Sequence, residues 1–457
     1  MQLNRRTFLM GAGAAVYAAN PPVARPNVLL IIADDLAAWM TGCYGNKEIR
    51  TPNIDLLARS GMRFTNSFVC TPMCSPSRAT LFTGRTPRQH GIYDFLNSHP
   101  VENPPQGQLE PPASFGSEVM LSDVLSAQGY NCGYSGKWHM GNDEQPKHGY
   151  QYTYTMLGGS SPYQNPKMSL NGQVRNEQGY MPDLITQHAI AFLDQQKSDK
   201  PFFLTVSHFN PHTPYEGHPQ KYYDMYANSN FETFGFESAA SNALREKDML
   251  KDTLGNLRKC AASTTALDDQ IPVLLRKLQE RSLRDNTLVV FTGDNGYLLG
   301  RHGLWSKGEA SYPYNMYEEV MAVPMIWSWP GKVPPESYVP ELVSFYDLLP
   351  SICEVTGANV PAKNLCGRSY APLAKRQRLP KKEPWNNIVF GHLRNTEMVR
   401  DKRYKLVLRD EGKSPGELYD LASDPREKVN QYTNPQFSTV RDRLTQELAA
   451  WRKKTKA

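Results

Sequence analysis

The chain has 457 residues, 51 Lys and Arg against 45 Asp and Glu, a formal net charge of +6, and many ordered-loop residues, with 35 prolines and 32 glycines. That length suffices for one large α/β domain plus a smaller companion, or for a single domain with long loops. The charge is modest and no dense basic block or aromatic-interleaved basic stripe occurs, which argues against a nucleic-acid binder; a mild positive bias suits an anionic small substrate. The cysteines (Cys43, Cys70, Cys74, Cys132, Cys260, Cys353, Cys366) are too few and scattered for a disulfide-built scaffold, and their odd number leaves one for another job. An oxidising compartment would permit a bridge or two.

In chain order, Arg5-Arg6-Thr7-Phe8-Leu9-Met10 and the Gly/Ala-rich apolar stretch to Ala19 come first. The stretch is too short to span a bilayer and reads as a bacterial twin-arginine export signal over residues 1–19. No later segment reads as transmembrane. Val28–Ala33 is a short apolar, β-branched run, as expected of a buried parallel strand. It ends in Asp34-Asp35, where adjacent carboxylates repel unless a cation sits between them. Open α/β sheets place ligands at this end of their strands. A Pro-initiated helix from Thr51 through Ala58 and a strand over Met62–Val69 follow. They lead to Cys70–Arg85, CTPMCSPSRATLFTGR. A lone thiol is usually a buried hydrophobe. Here Cys74 stands where a loop becomes a helix, so unpaired backbone N–H groups can hold an anion beside it.

Ser117–Gln128 reads as a helix capped by Ser117. Lys137 and His139 in SGKWHMG are two apart, and on an extended segment they face one side, presenting an ammonium and an imidazole to one anion. A helix over Asp183–Gln195 and a strand over Pro201–Val206 lead to SHFNPHTPY, where His212 sits between prolines, with His208 nearby. Residues Glu216–Arg258 show no clear period and are a source of recognition loops. An amphipathic helix is expected over Asp268–Leu278. Asn286–Gly293 is a second buried strand, ending in Asp294-Asn295. Asp34, Asp35, Asp294 and Asn295 together make a hard, all-oxygen ligand set for Ca²⁺ or Mg²⁺ rather than Zn²⁺. Val323–Ile326 is a strand, and Leu342–Thr356 holds a helix around FYDLLP. Lys375–Pro384 is a basic, proline-punctuated linker. Ile388–Leu393, Thr396–Arg400 and Tyr404–Leu408 read as antiparallel strands before a C-terminal helix over Thr439–Lys453.

CSPSR followed by ATLFTGR resembles the signature of type I sulfatases, of the alkaline-phosphatase-like superfamily. TPNIDLLARSGMRFTN, GKWHMG, PHTP, DNG with LGRHGLWSKG, FYDLLP and ELYDLASDPREKVN are similar to further segments of that family. The resemblance runs from Arg25 to the C-terminus. It implies that a formylglycine-generating enzyme oxidises Cys74 to Cα-formylglycine, whose hydrate attacks sulfur. It implies that Asp34, Asp35, Asp294 and Asn295 hold Ca²⁺, with Mg²⁺ as the other option, and that Arg78 anchors the hydrate. Lys137, His139, His212 and Lys307 would surround the sulfate. His212 or Lys307 would protonate the leaving alcohol, and His139 would act as base.

The implied fold is α/β, alkaline phosphatase/sulfatase-like: a large central mixed sheet flanked by helices on both faces, with a small C-terminal antiparallel sheet and helix. The expected division is a catalytic domain over residues 25–365 and a smaller C-terminal subdomain over residues 366–457. The expected activity is hydrolysis of a sulfate ester, on a sulfated carbohydrate before other sulfated small molecules, with Asn97, His99, His302 and Tyr93 beside the catalytic segments as candidate sugar contacts. Phosphonate monoester or phosphodiester hydrolases of the same superfamily, or a broad arylsulfatase, are the alternatives, because pocket cations do not separate sulfate from phosphate. No nucleic acid and no stable membrane insertion are expected.

Overall fold

Pro26 introduces an apolar run that forms β1 (Asn27–Asp34), buried along its whole length. Its side chains feed two cores at once: Val28, Leu30 and Ile32 enter one, Leu29, Ile31 and Ala33 the other. That two-sided burial is why the strand is a continuous apolar run rather than an alternating one. A computed structural model describes residues 25–96, 118–197, 200–361 and 364–456. The expected export signal over residues 1–19, the expected Ser117 cap, Asn97 and His99 lie outside the described residues.

The strands that join β1 are, in chain order, β2 (Met62–Phe68), β3 (Asn131–Lys137), β4 (Tyr152–Met156), β5 (Lys167–Leu170), β6 (Gln173–Asn176), β7 (Phe202–Pro211), β8 (Thr287–Gly293), β9 (Met325–Ser328) and β10 (Ser337–Ser344). They form one sheet in the order β10-β2-β9-β8-β1-β7-β3-β4-β5-β6. Within it β8, β1, β7, β3 and β4 run parallel side by side. Strand β9 is antiparallel to both its neighbours, and β5 and β6 close the far edge in antiparallel. The sheet is mixed, as expected.

Helices cover both faces. Helix α1 (Pro52–Arg59) puts Ile54 and Leu57 into the core of Leu29, Ile31 and Ala33, whereas α2 (Cys74–Thr83) packs Leu81 and Phe82 into the core of Val28, Leu30 and Ile32. After them come α3 (Leu121–Ala127), α4 (Met181–Asp194), α5 (Thr253–Asp268), α6 (Gln270–Glu280) and α7 (Leu348–Thr356). Helix α6 buries Ile271, Leu274 and Leu278, each contributing about 1.5–3 kcal/mol of transfer free energy. The helix expected over Asp268–Leu278 is α6, starting two residues later at Gln270. Asp268 closes α5, and its carboxylate accepts from the Asn53 and Ile54 N–H groups, capping α1 from a distant part of the chain.

The C-terminal region adds β11 (Val389–Leu393), β12 (Thr396–Arg400), β13 (Tyr404–Arg409) and β14 (Ser414–Asp420) as an antiparallel meander. The last helix, α8 (Ser438–Lys454), lays Leu444, Leu448 and Trp451 on it. The cysteines are all free thiols. No helix among the described residues is long and apolar enough to cross a membrane.

Candidate active site

Four adjacent parallel strands, β8, β1, β7 and β3, end on the same edge of the sheet, where open α/β sheets bind ligands. Their ends deliver Asp294 and Asn295, Asp34 and Asp35, His212, and Lys137. Successive strand residues point to opposite faces, so Asp34 and Asp35 would diverge on an extended chain. Asp35 instead has φ 63°, a left-handed turn that breaks the alternation. One oxygen each of Asp34, Asp35 and Asp294 and the Cys74 sulfur then lie within 4.8 Å of one another.

Helix α2 brings Cys74 to this cluster. All ten of its residues are buried, so the helix runs through the core with its first turn at the carboxylates. Ser77 Oγ donates to the Asp294 carbonyl at 2.5 Å, fixing that turn against the end of β8. Arg78 is fully buried: Nε and Nη2 reach Asp294 Oδ2 at 2.9 and 2.8 Å, and Nη1 donates to the Lys137 carbonyl and Ser207 Oγ, each at 2.7 Å. The guanidinium thus ties the ends of β8, β3 and β7 together. Gly136 permits this approach. Its φ is +119°, and a Cβ there would sit 1.9 Å from the Ser207 carbonyl oxygen.

Two ammonium groups converge on the Cys74 sulfur, Lys307 Nζ at 2.9 Å and Lys137 Nζ at 3.7 Å. Lys137 also pairs with Asp34 at 2.5 Å, and Lys307 pairs with Asp35. Burial pushes the Cys74 thiol well above its ordinary range, with Asp34 adding to the shift, so the S–H is retained and points to Asp34 Oδ1 at 3.3 Å. Burial and Asp294 push Asp34 up to about 7. Burial works in the same direction on Asp35, but Lys307 and His212 hold it below its ordinary value. Burial opposes the charge on Lys307, yet Asp35 and Cys74 hold its pKa well above the usual lysine range.

His139 departs from the extended geometry expected of Lys-x-His. Its φ is 54°, and its ring is buried, stacked on Phe95 with centroids 5.9 Å apart. Neither ring nitrogen has a hydrogen-bond partner among the described residues. A Cβ at Gly159 would meet that ring at 2.6 Å, so glycine there makes room for it. His212 stacks on Phe209, donates Nδ1–H to the Thr213 carbonyl, and turns Nε2 toward Asp35 Oδ2 at 3.7 Å. Burial, reinforced by Lys137, lowers His212 to about 3, leaving Nε2 with a free lone pair.

Asn295 Nδ2 donates to Asp35 and to the Gly296 carbonyl, while Asn295 Oδ1 is buried with no hydrogen-bond partner among the described residues. Three clustered carboxylates and one orphaned amide oxygen are a hard-oxygen donor set that fits a divalent cation.

The other expected residues lie elsewhere. His302 is stacked on Tyr317 at 3.7 Å and paired with Glu319 at 3.3 Å, which commits its ring to the surroundings of Glu319. Tyr93 packs edge-on against His392 of β11. His208 is buried within β7, and burial lowers it to about 3. The sequence reading missed Ser207, which the alternation of β7 could have placed beside Arg78, and Phe95, whose role depends on a contact across the fold.

Comparison with known proteins agrees with this geometry. The Sulfatase family model matches residues 26–358, and an N-sulphoglucosamine sulphohydrolase C-terminal model matches residues 300–454. The chain belongs to the sulfatase family, whose members hydrolyse sulfate esters. It is similar to an ulvan-active sulfatase of Formosa agariphila, 28% identical over 93% of this chain and 80% of that protein. It is also similar to the N-acetylglucosamine-6-O-sulfatase of Bacteroides thetaiotaomicron, 24% identical over 100% of this chain and 92% of that one. Among solved structures, yidJ of Bacteroides fragilis superposes with a TM-score of 0.81 at 26% identity, covering 96% and 98% of the two chains.

Proposed function

We propose that the chain is a carbohydrate sulfatase whose reacting centre is residue 74. The observation that carries this reading is the convergence of two lysine ammonium groups on the first residue of α2, beside a carboxylate cluster. The sugar-directed name of the Bacteroides thetaiotaomicron relative supports the glycan as substrate. The twin-arginine pair at Arg5-Arg6 supports export, and hence an environmental substrate.

The thiol of Cys74 is held protonated by burial and cannot itself serve as a strong nucleophile. Conversion of Cys74 to Cα-formylglycine by a formylglycine-generating enzyme would supply a hydrated aldehyde, a hydroxyl nucleophile that can release its own product. A calcium ion, or magnesium, held by Asp34, Asp35, Asp294 and Asn295 would supply positive charge for that hydroxyl and for sulfate oxygens.

The chain's own residues do the rest. Lys137 and Lys307 offer N–H donors to the sulfate oxygens and oppose the charge that grows on them in the transition state. Arg78 positions Asp294 and the end of β3, so the donors stand in fixed places before substrate arrives. His139 has both ring nitrogens free to bind and to take the proton of the nucleophile's second hydroxyl. Lys307 Nζ keeps its proton and stands on the Asp35 side of the cluster, so protonation of the leaving alcohol falls to it, while His212 Nε2 on the same side offers a lone pair.

The test is release of inorganic sulfate from sulfated mono- and disaccharides, with an aryl sulfate and a phosphodiester alongside. The protein is co-produced with a formylglycine-generating enzyme, and Cys74→Ala is the control. Release from a sugar sulfate, lost in the control, is the expected result. Turnover of the diester alone would contradict the reading.

A further inference from the structure

The aperiodic insertion between β7 and α5 is anchored at the rim of the site. The Leu244 N–H donates to the Ala310 carbonyl at 2.7 Å, the Tyr312 N–H donates to the Asn242 carbonyl at 3.1 Å, and Ala243 bridges to Ser311. Two residues beyond Leu244, the Glu246 carboxylate accepts from Thr213 Oγ1 at 2.9 Å and from the Tyr297 hydroxyl. Residue 245 is therefore fixed between the loop that carries Lys307 and the turn that carries His212.

That residue is an arginine whose side chain is 57% exposed. Its guanidinium carbon lies 5.2 Å from the centroid of Phe95. The same ring stacks on His139 and has the Lys307 ammonium 5.8 Å from its centroid. One aromatic side chain thus separates Arg245 from two groups that face the reacting centre.

We propose that Arg245 determines specificity by binding a second anionic group of the substrate, a carboxylate or another sulfate, next to the scissile sulfate ester. The inference rests on the sulfatase reading above and names the class of glycan it takes. A guanidinium fork matches the planar pair of oxygens on a carboxylate and two oxygens of a sulfate. The acid beside it does not saturate it. Glu309 Oε1 stands 3.6 Å from Arg245 Nε, while Glu309 Oε2 is buried without a hydrogen-bond partner among the described residues. Burial also pushes the Glu309 carboxyl up to about 7, so near neutrality it opposes Arg245 with only part of a charge. The half-buried Phe95 ring, stacked on His139 and covered by Arg245, spaces the two anion-binding positions. Specificity carried by an insertion at the strand ends, on a core that handles only the ester, is the usual division of labour in such folds.

The test uses three probes: a disaccharide with one sulfate and a uronate carboxylate, its carboxyl-reduced counterpart, and the disulfated form of that counterpart. Wild type, Arg245→Ala and Arg245→Lys, all carrying the aldehyde at position 74, are compared for kcat and KM. The wild type prefers one or both doubly charged probes over the reduced one. In Arg245→Ala that preference falls on the order of 10-fold or more, through KM rather than kcat, and lysine restores part of it. The arm that responds identifies carboxylate or sulfate as the recognised group. A wild type indifferent to the second charge, or an equal loss on all three probes, overturns the inference. Calorimetric binding of the same probes to Cys74→Ala, with and without Arg245→Ala, gives the same comparison without turnover. Failure of the sulfatase reading alone would leave that binding difference in place.

Discussion

The molecule contains two buried ionic clusters, and they are built on opposite plans. One, at the ends of β8, β1, β7 and β3, gathers Asp34, Asp35 and Asp294 with Arg78, Lys137 and Lys307. The other joins the sheet domain to the C-terminal meander. There Arg400 lies 3.2 Å from both Glu318 oxygens, Lys405 reaches Glu318 at 3.1 Å and Glu427 at 2.7 Å, and Glu427 accepts the Glu318 N–H at 2.6 Å. Every charge in this second cluster has an opposite partner, and Arg400 also covers the Phe68 ring. The first cluster leaves Asn295 Oδ1 and both His139 nitrogens without hydrogen-bond partners among the described residues. A closed cluster holds two parts of a chain together. An open one keeps donors and acceptors for ligands, and its stability is tied to them.

Breaking the closed cluster has the largest expected cost. Lys405→Ala leaves Glu318 and Glu427 buried against each other and should destabilise the fold by about 3–5 kcal/mol in chemical denaturation. Turnover per folded molecule should be kept. Lys307→Ala reverses the pattern: kcat should drop roughly 10²–10³-fold, with a smaller change in melting temperature when calcium is present. Chelation comes next. A cation bound by Asp34, Asp35 and Asp294 would add to the balance that Lys137, Lys307 and Arg78 give these carboxylates, so on removal of divalent cations melting temperature should fall by several degrees and recover on addition of calcium. Lys405→Ala should not change that metal response.

A further test of the closed cluster is a pH slope. Burial raises Glu427 from its ordinary value of 4.5 to about 8. Its contribution to stability is complete below pH 4.5 and is lost as pH rises through about 8, because the folded state binds the extra proton across that window. Glu427→Gln should flatten the dependence of melting temperature on pH between those values. An unchanged slope would show that Lys405 keeps the carboxyl ionised throughout.

The central strands and the carboxylates at their ends were legible because burial on both faces writes an unbroken apolar run, and an abrupt Asp-Asp or Asp-Asn then marks its end. The edge of the same sheet was not. Strand β6 is exposed along its length, and β5 exposes Lys167, so neither carries a burial pattern. Strand β10 is interrupted near Pro340, where its pairing with β2 shifts register, and only its last residues fell within a segment read as helical. Helix α5 is buried on nearly every side from Cys260 to Asp268 with Ser and Thr among its core residues, which erases the period a surface helix shows. At the site, residue types were readable from local segments. Backbone turns at Asp35 and His139, and the meeting of Phe95 with Arg245, depend on contacts made only by the folded chain.

The most direct measurement is sulfate release from a sulfated disaccharide by two preparations of one sequence. In one, residue 74 is fully converted to the aldehyde, and in the other it is left as cysteine, with conversion read by peptide mass. The open cluster around a protonated thiol predicts turnover proportional to the aldehyde fraction and none from the cysteine form. Equal turnover by the cysteine form would contradict residue 74 as the reacting centre.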